Sequence, residues 1–227
     1  MTVIAANMQA VRDRIARAAA AAGRAPESVA LLAVSKTFSA MAVRECRACG
    51  QRAFGENYAQ EALDKMGELP DLDLSWHFIG PIQSNKTRLI AEHFDWVHGI
   101  EREKIARRLN DARPAALPPL NVCIQVNVSG EASKAGVAPG EDVTLAAAVA
   151  RMPRLKLRGL MTIPEPTTDT VLQRRRYALL RELKQKLEAA GHALDTLSMG
   201  MSDDLEAAIA EGATMVRVGR AIFGERR

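Results

Sequence analysis

Aromatic residues are scarce in this chain, at 4% of 227 residues. Single-stranded nucleic acid is read by stacking bases on aromatic platforms, so a sequence this poor in rings argues against that class even with a net charge of +4. The densest basic run, Arg174-Arg175-Arg176 with Arg181, Lys184 and Lys186, is interleaved with Glu182 and Glu188 and reads as a solvated helix face. No apolar run approaches the ~20 residues of a membrane span. No signal peptide is apparent in the alanine-rich helical pattern of residues 1–24. Cysteine is confined to Cys46, Cys49 and Cys123, an odd set that builds no disulfide framework and suits a reducing compartment. The expected location is therefore the cytoplasm. Cys46 and Cys49 form a CxxC pair, but zinc needs two further ligands and a redox pair opens a helix, whereas this pair closes one. No linker rich in proline, glycine or serine divides the chain, so one domain over residues 1–227 is expected.

What is present is a regular alternation of apolar runs and amphipathic segments. Strands are expected at Leu31 to Ser35, Ala53 to Gly55, Ser75 to Gly80, Trp96 to Gly99, Asn121 to Asn127, Leu157 to Thr162, Thr196 to Ser198 and Met215 to Val218. Helical patterns fill the intervals, near Ala40 to Cys49, Ala59 to Gly67, Asn85 to His93, Glu101 to Asp111, Glu141 to Arg151, Thr170 to Ala190, Asp203 to Glu211 and Ala221 to Gly224. Strands separated by helices pair in parallel, and eight such units at this length predict an α/β fold of the (β/α)₈ TIM barrel type with an extra N-terminal helix. An open doubly wound sheet fits the same alternation, but no GxGxxG follows the first strand.

One residue stands out at the end of the first apolar run, Leu31-Leu32-Ala33-Val34-Ser35-Lys36. An ammonium has no place in a buried strand unless it is paired or neutralised. At the carboxyl end of a strand the same lysine either reaches solvent or, once neutral, attacks a carbonyl to form a Schiff base. A second buried-charge anomaly is Arg217 inside Met215-Val216-Arg217-Val218. A guanidinium keeps its proton and needs an acceptor, either a neighbouring strand's carboxylate or a ring nitrogen of a ligand.

In a barrel of this kind, phosphate commonly sits on the loops after the last two strands. Here those loops are Ser198-Met199-Gly200-Met201-Ser202-Asp203-Asp204, with Ser202 placed as a helix N-cap, and Gly219-Arg220-Ala221-Ile222-Phe223-Gly224. Small residues and amide-rich corners on adjacent strands suit an anion, and they suit ordinary capping and tight turns as well. Asn57 and Gln83, at two other strand ends, are placed to hydrogen-bond a ring substituent or each other. His77 lies within a strand with no second histidine at ligand spacing, which reads as a satisfied core histidine rather than a metal ligand.

Taken together, Ala33-Val34-Ser35-Lys36, Phe54-Gly55-Glu56-Asn57, His77-Phe78-Ile79-Gly80, Gln83-Ser84-Asn85-Lys86, Gly159-Leu160-Met161, the Leu197 to Asp203 loop and Val216 to Gly224 resemble the pyridoxal phosphate homeostasis protein family. Its fold is like the N-terminal barrel of alanine racemase. The resemblance implies that Lys36 carries pyridoxal 5′-phosphate as a Schiff base, that Ser198, Met199, Gly200, Ser202, Gly219 and Arg220 hold the phosphate through hydroxyls and amides, that Arg217 faces the pyridine nitrogen, and that Asn57 contacts the ring. It implies cofactor binding and buffering in vitamin B6 homeostasis without established turnover, by a monomer, with pyridoxal-phosphate-dependent apo-enzymes as recipients and neither membrane nor nucleic acid as partner. The family often has threonine where this chain has Arg220. Two alternatives stand beside this reading: an amino-acid racemase, which needs a second acid/base on the opposite substrate face, a tyrosine of an additional domain in alanine racemase that neither Tyr58 nor Tyr177 resembles in its segment, and a cofactor-free barrel enzyme with an aldolase-type lysine.

Overall fold

In a computed structural model, which describes residues 2–131 and 134–225, the strands close into one parallel barrel in chain order. The strands are β1 (Ala30–Val34), β2 (Ala53–Glu56), β3 (Ser75–Phe78), β4 (Trp96–Ile100), β5 (Leu120–Gln125), β6 (Leu155–Met161), β7 (Thr196–Ser198) and β8 (Met215–Val218). The helices are α1 (Val3–Ala21), α2 (Ala40–Ala48), α3 (Ala59–Glu68), α4 (Thr87–His93), α5 (Glu103–Ala112), α6 (Glu141–Val149), α7 (Thr170–Ala189), α8 (Leu205–Ala210) and α9 (Arg220–Phe223). Closure is made by β1 on β8, with Ala30 opposite Met215 and Ala33 opposite Val218. The open doubly wound alternative is thereby excluded.

Alternation along each strand sorts the side chains into two environments. Leu32 and Val34 of β1 point into the barrel with Ile79 and Met215, while Ala33, Phe54, Trp76, Phe78, Val97, Leu197, Val216 and Val218 face outward into the main core beneath the helices. The same period of two carries Lys36 onto the interior line of Leu32 and Val34, and Arg217 and Gly219 onto that of Met215.

Helix α1 is extra to the eight repeats. Met8, Val11, Ile15 and Ala19 recur at three- and four-residue spacing and form its buried stripe. Thr2 caps it by accepting from the Ala5 amide at 3.2 Å. Two polar side chains on this helix reach chain segments that follow the last strands: Arg14 Nη2 donates to the Ser202 carbonyl at 3.1 Å, and Asn7 Nδ2 to the Ile222 carbonyl at 2.9 Å.

The helix expected from Asp203 begins later, at Leu205, with Asp204 as its N-cap position. Ser202 is therefore not the cap. Asp204 turns its carboxylate back over the loop, accepting from the Met201 amide at 2.6 Å and from the Tyr177 hydroxyl at 2.7 Å. The segment expected to open a helix at Asn85 makes a 3₁₀ turn over Ser84–Lys86 before α4 starts. The basic run on α7 is largely paired: Arg174 and Arg181 both meet Glu211, and Arg176 meets Glu165 at 3.0 Å.

Candidate functional site

A cavity of about 180 Å³ opens where the strands end, lined by Val34, Lys36, Asn57, Ile79, Ile163, Met201, Ser202, Asp203, Arg217, Gly219 and Arg220. A larger groove, of about 510 Å³, lies against α7 between Leu172, Arg175, Arg176 and Glu182, away from most strand ends. Chemistry in this fold gathers at the carboxyl ends of the strands, which makes the smaller cavity the candidate site. It unites Lys36, Asn57, Ser202, Arg217, Gly219 and Arg220 from four separate stretches of the chain.

Lys36 is half-buried in the turn that follows β1. Next to it, Thr37 sits at φ 69°, a left-handed conformation that is rare for a β-branched residue. Its amide donates to Glu61 Oε1 at 2.6 Å. On the other side, the Ser35 hydroxyl donates to Glu56 Oε1 at 2.6 Å, and the Ser35 carbonyl accepts from Lys65 Nζ at 2.7 Å. Lys65 also meets Glu56 at 2.8 Å and Glu61 at 2.7 Å. Glu56 is fully buried, and burial pushes its carboxyl above the usual range while Lys65 and the Ser35 hydroxyl pull it back.

Arg217 is 4% exposed and sends Nη1 to the Ser198 carbonyl at 2.6 Å and to Ser198 Oγ at 2.9 Å, and Nη2 to the Thr162 carbonyl at 2.8 Å. The neighbouring-strand carboxylate expected as a partner is replaced by two backbone carbonyls and a hydroxyl. Below it runs a buried chain: Ser198 Oγ to His98 Nδ1 at 2.8 Å, His98 Nε2 to His77 Nδ1 at 2.9 Å, and His77 Nε2 to Ser75 Oγ at 3.2 Å. Arginine only donates, so Ser198 accepts from it and passes its own hydrogen to His98 Nδ1. The opposite direction would leave the serine hydrogen with no acceptor among these contacts. Each histidine is then neutral with its proton on Nε2. Burial alone pushes His77 down to about 3. His98 is driven well below its ordinary value by burial first, then by His77 and Arg217.

Three residues of the expected set stand apart from the cavity wall. Ser198 is fully buried inside the barrel with its hydroxyl engaged by Arg217 and His98, so it supports the site from beneath. The Met199 side chain lies in the outer core, and its amide donates to the Met215 carbonyl at 3.1 Å. Gly200 sits at φ 93° with room for no side chain, since an added Cβ would come within 2.6 Å of Ala208 Cβ, so its smallness serves packing of the loop on α8. Gln83 does not line the cavity with Asn57.

A family model described as the alanine racemase N-terminal domain matches residues 6–227. The pyridoxal phosphate homeostasis protein of Pseudomonas aeruginosa is 64% identical over 226 residues, which cover 100% of this chain and 97% of that protein. The chain belongs to the pyridoxal phosphate homeostasis protein family. Among solved structures, PipY of Synechococcus elongatus with pyridoxal phosphate bound superposes with a TM-score of 0.85 at 36% identity, covering 97% of this chain and all (100%) of that one. Alanine racemase from Corynebacterium glutamicum shares the fold, with a TM-score of 0.71 at 17% identity, covering 97% of this chain and 60% of that enzyme.

Within this homeostasis family barrel, Arg220 answers the question its departure from threonine raised. The guanidinium pairs with Asp203 across the cavity mouth, joining the loop after β7 to the start of α9. Tyr58, 57% exposed, and Tyr177, fully buried under Asp204, are both outside the cavity lining. Sequence reasoning missed the roles of His98 and Lys65. His98 lies in an apolar strand and Lys65 in an amphipathic helix, and neither shows its partner in its own segment. Parity was the available signal, since His77 and His98 fall on the interior face whereas Glu56 falls on the outer face, towards α3. Burial also quiets the cysteines, pushing the thiols of Cys46 and Cys123 up to about 12.

Gly80 presses on the site wall, because a Cβ there would lie 2.5 Å from the Asn57 carbonyl oxygen. Gly80→Ala is expected to displace Asn57 and to lower stability by about 1–3 kcal/mol, as overpacking does. Urea unfolding of the two proteins measures it, and an unchanged midpoint would count against the contact.

Proposed function

We propose that this barrel holds pyridoxal 5′-phosphate as a Schiff base on Lys36 and buffers the cofactor, without catalytic turnover of its own. The observation that carries the reading is the convergence of Lys36, Arg217, Asn57 and the loops after β7 and β8 on one cavity. Relatives named for pyridoxal phosphate homeostasis and the cofactor-bound PipY support it. The residues suit the group. Asn57 Oδ1 is buried with no hydrogen-bond partner among the described residues, an acceptor available to a phenolic hydroxyl. Arg217 has five N–H donors and directs three hydrogen bonds into the barrel wall, so donors remain for an unprotonated ring nitrogen. Ser202, Gly219 and Arg220 would meet the phosphate. When bound, the cofactor supplies an aldehyde that condenses with a primary amine. Arginine opposite the ring nitrogen keeps that nitrogen unprotonated, which weakens the ring as an electron sink.

The cofactor-holding unit is the whole chain acting as one domain, as a monomer in the cytoplasm, and apo-enzymes that need the cofactor are its recipients. Against a racemase stands the position of both tyrosines outside the cavity, since two-base proton exchange needs a second acid/base across the substrate. Exchange of the α-proton of alanine in deuterated buffer, dependent on Lys36, would favour the racemase. Protein that stays colourless in pyridoxal phosphate would favour a cofactor-free barrel enzyme.

Titration of the apo-protein with pyridoxal phosphate and with pyridoxal, followed by transfer to an apo-enzyme, tests the proposal directly. Ser202→Ala is expected to weaken retention of the phosphorylated ligand roughly tenfold, the loss of one hydrogen bond to a charged group, and to leave pyridoxal unaffected. Equal losses for both ligands would remove Ser202 from the phosphate site.

A further inference from the structure

Both neighbours of Lys36 are held by one ion cluster, buried at Glu56 and Lys65, that does not line the cavity. Glu56 sits on the outward face of β2, and the Lys65 ammonium, on α3, lies between it and Glu61. From this cluster run three contacts to the turn: the Glu56 carboxylate to the Ser35 hydroxyl, the Lys65 ammonium to the Ser35 carbonyl and the Glu61 carboxylate to the Thr37 amide. The Ser35 amide is anchored too, donating to the Gly55 carbonyl at 3.0 Å. Thr37 stays left-handed at φ 69° under this grip. A non-glycine residue in that region is strained, and such strain persists only when the surroundings over-determine it.

Cluster, turn and cavity are thus arranged in series, with Lys36 as the one residue of the turn that enters the cavity. We infer that Glu56, Lys65 and Glu61 are positioning residues that aim the Lys36 amine at the carbonyl of its ligand, using Thr37 as the strained pivot. The inference rests on Lys36 being the cofactor-capturing amine. In that capture the neutral amine adds to the aldehyde carbon, the C=O bond gives way to a C=N bond to Nζ, and the oxygen leaves as water with the two amine hydrogens. An error of about 1 Å in the approach of reacting groups costs up to a hundredfold in rate, so a clamp on the backbone either side of the amine acts on this step and spares the ring and phosphate contacts.

Glu61 is the member to remove, because its side chain is 31% exposed and its loss leaves the barrel core intact. Two ligands separate positioning from folding: pyridoxal phosphate, which Lys36 captures, and pyridoxine phosphate, which shares its ring and phosphate but has no aldehyde. Glu61→Ala is expected to slow borohydride-trappable capture of pyridoxal phosphate roughly tenfold, the effect of losing one charge-assisted hydrogen bond that orders the reacting group. Affinity for pyridoxine phosphate should stay within about twofold, less than the tenfold that 1.4 kcal/mol represents. Adding Thr37→Asn, a residue that tolerates the left-handed region, should restore most of the rate. Parallel loss for both ligands, no loss for either, or a slow variant that Thr37→Asn does not rescue would each overturn the clamp. If the unsubstituted protein traps no pyridoxal phosphate, the functional proposal falls instead.

Discussion

Lys36→Ala is expected to abolish covalent retention of pyridoxal phosphate: no visible band on adding the cofactor and no borohydride-stable adduct by mass spectrometry. Lys36 lies in a turn outside the apolar core, so its truncation removes the amine without opening a cavity among the barrel's buried side chains. Phosphate and ring contacts would survive and hold the cofactor reversibly. The nearby alternative amine is Lys65, and it is poorly suited to take over. It is 5% exposed and engaged by Glu56, Glu61 and the Ser35 carbonyl, so reaching the cavity would strand two carboxylates. An adduct on Lys65, or undiminished colour in the variant, would end the assignment of Lys36.

Acid should destabilise the barrel well before its carboxylates titrate. Unfolded, His77 and His98 take up protons near pH 6.5; folded, burial holds His77 at about 3 and His98 well below its ordinary value. The unfolded chain therefore binds more protons than the native one as pH falls below about 6.5, and stability, fully present above that point, drains away towards the folded values. With two such groups the loss between pH 7 and pH 5 is on the order of 2–4 kcal/mol. Glu56, whose carboxyl is raised by burial, works in the opposite sense. Urea midpoints at pH 7 and pH 5 measure the net effect, and His77→Gln with His98→Gln should flatten the difference. Equal midpoints in the unsubstituted protein would contradict a neutral, directional histidine pair.

Much of this architecture was legible from alternation alone. The eight strands, the closing helix pattern and the extra first helix follow from apolar periodicity, with ends shifted by at most three residues, as where β1 covers Ala30–Val34 rather than Leu31 to Ser35. Lys36 and Arg217 were legible because a charge in an apolar run is conspicuous. What stayed hidden depends on contacts between distant segments. That the Met199 amide is taken up by the Met215 carbonyl shows only once β7 and β8 are brought side by side. Ser202 resembled a cap until Tyr177 and the Met201 amide were seen to fix Asp204 in that place. The partnership of Glu56 with Lys65 joins a strand to the next helix, and the chain from Ser75 to Arg217 threads four strands; neither leaves a motif.

The seam between β1 and β8 joins the beginning of the barrel to its end, and the last strand brings Arg217, Gly219 and Arg220 with it. Any polypeptide interrupted ahead of that strand therefore leaves the ring open and the pocket without one wall. Such fragments would offer a vitamin-derived ligand no complete berth.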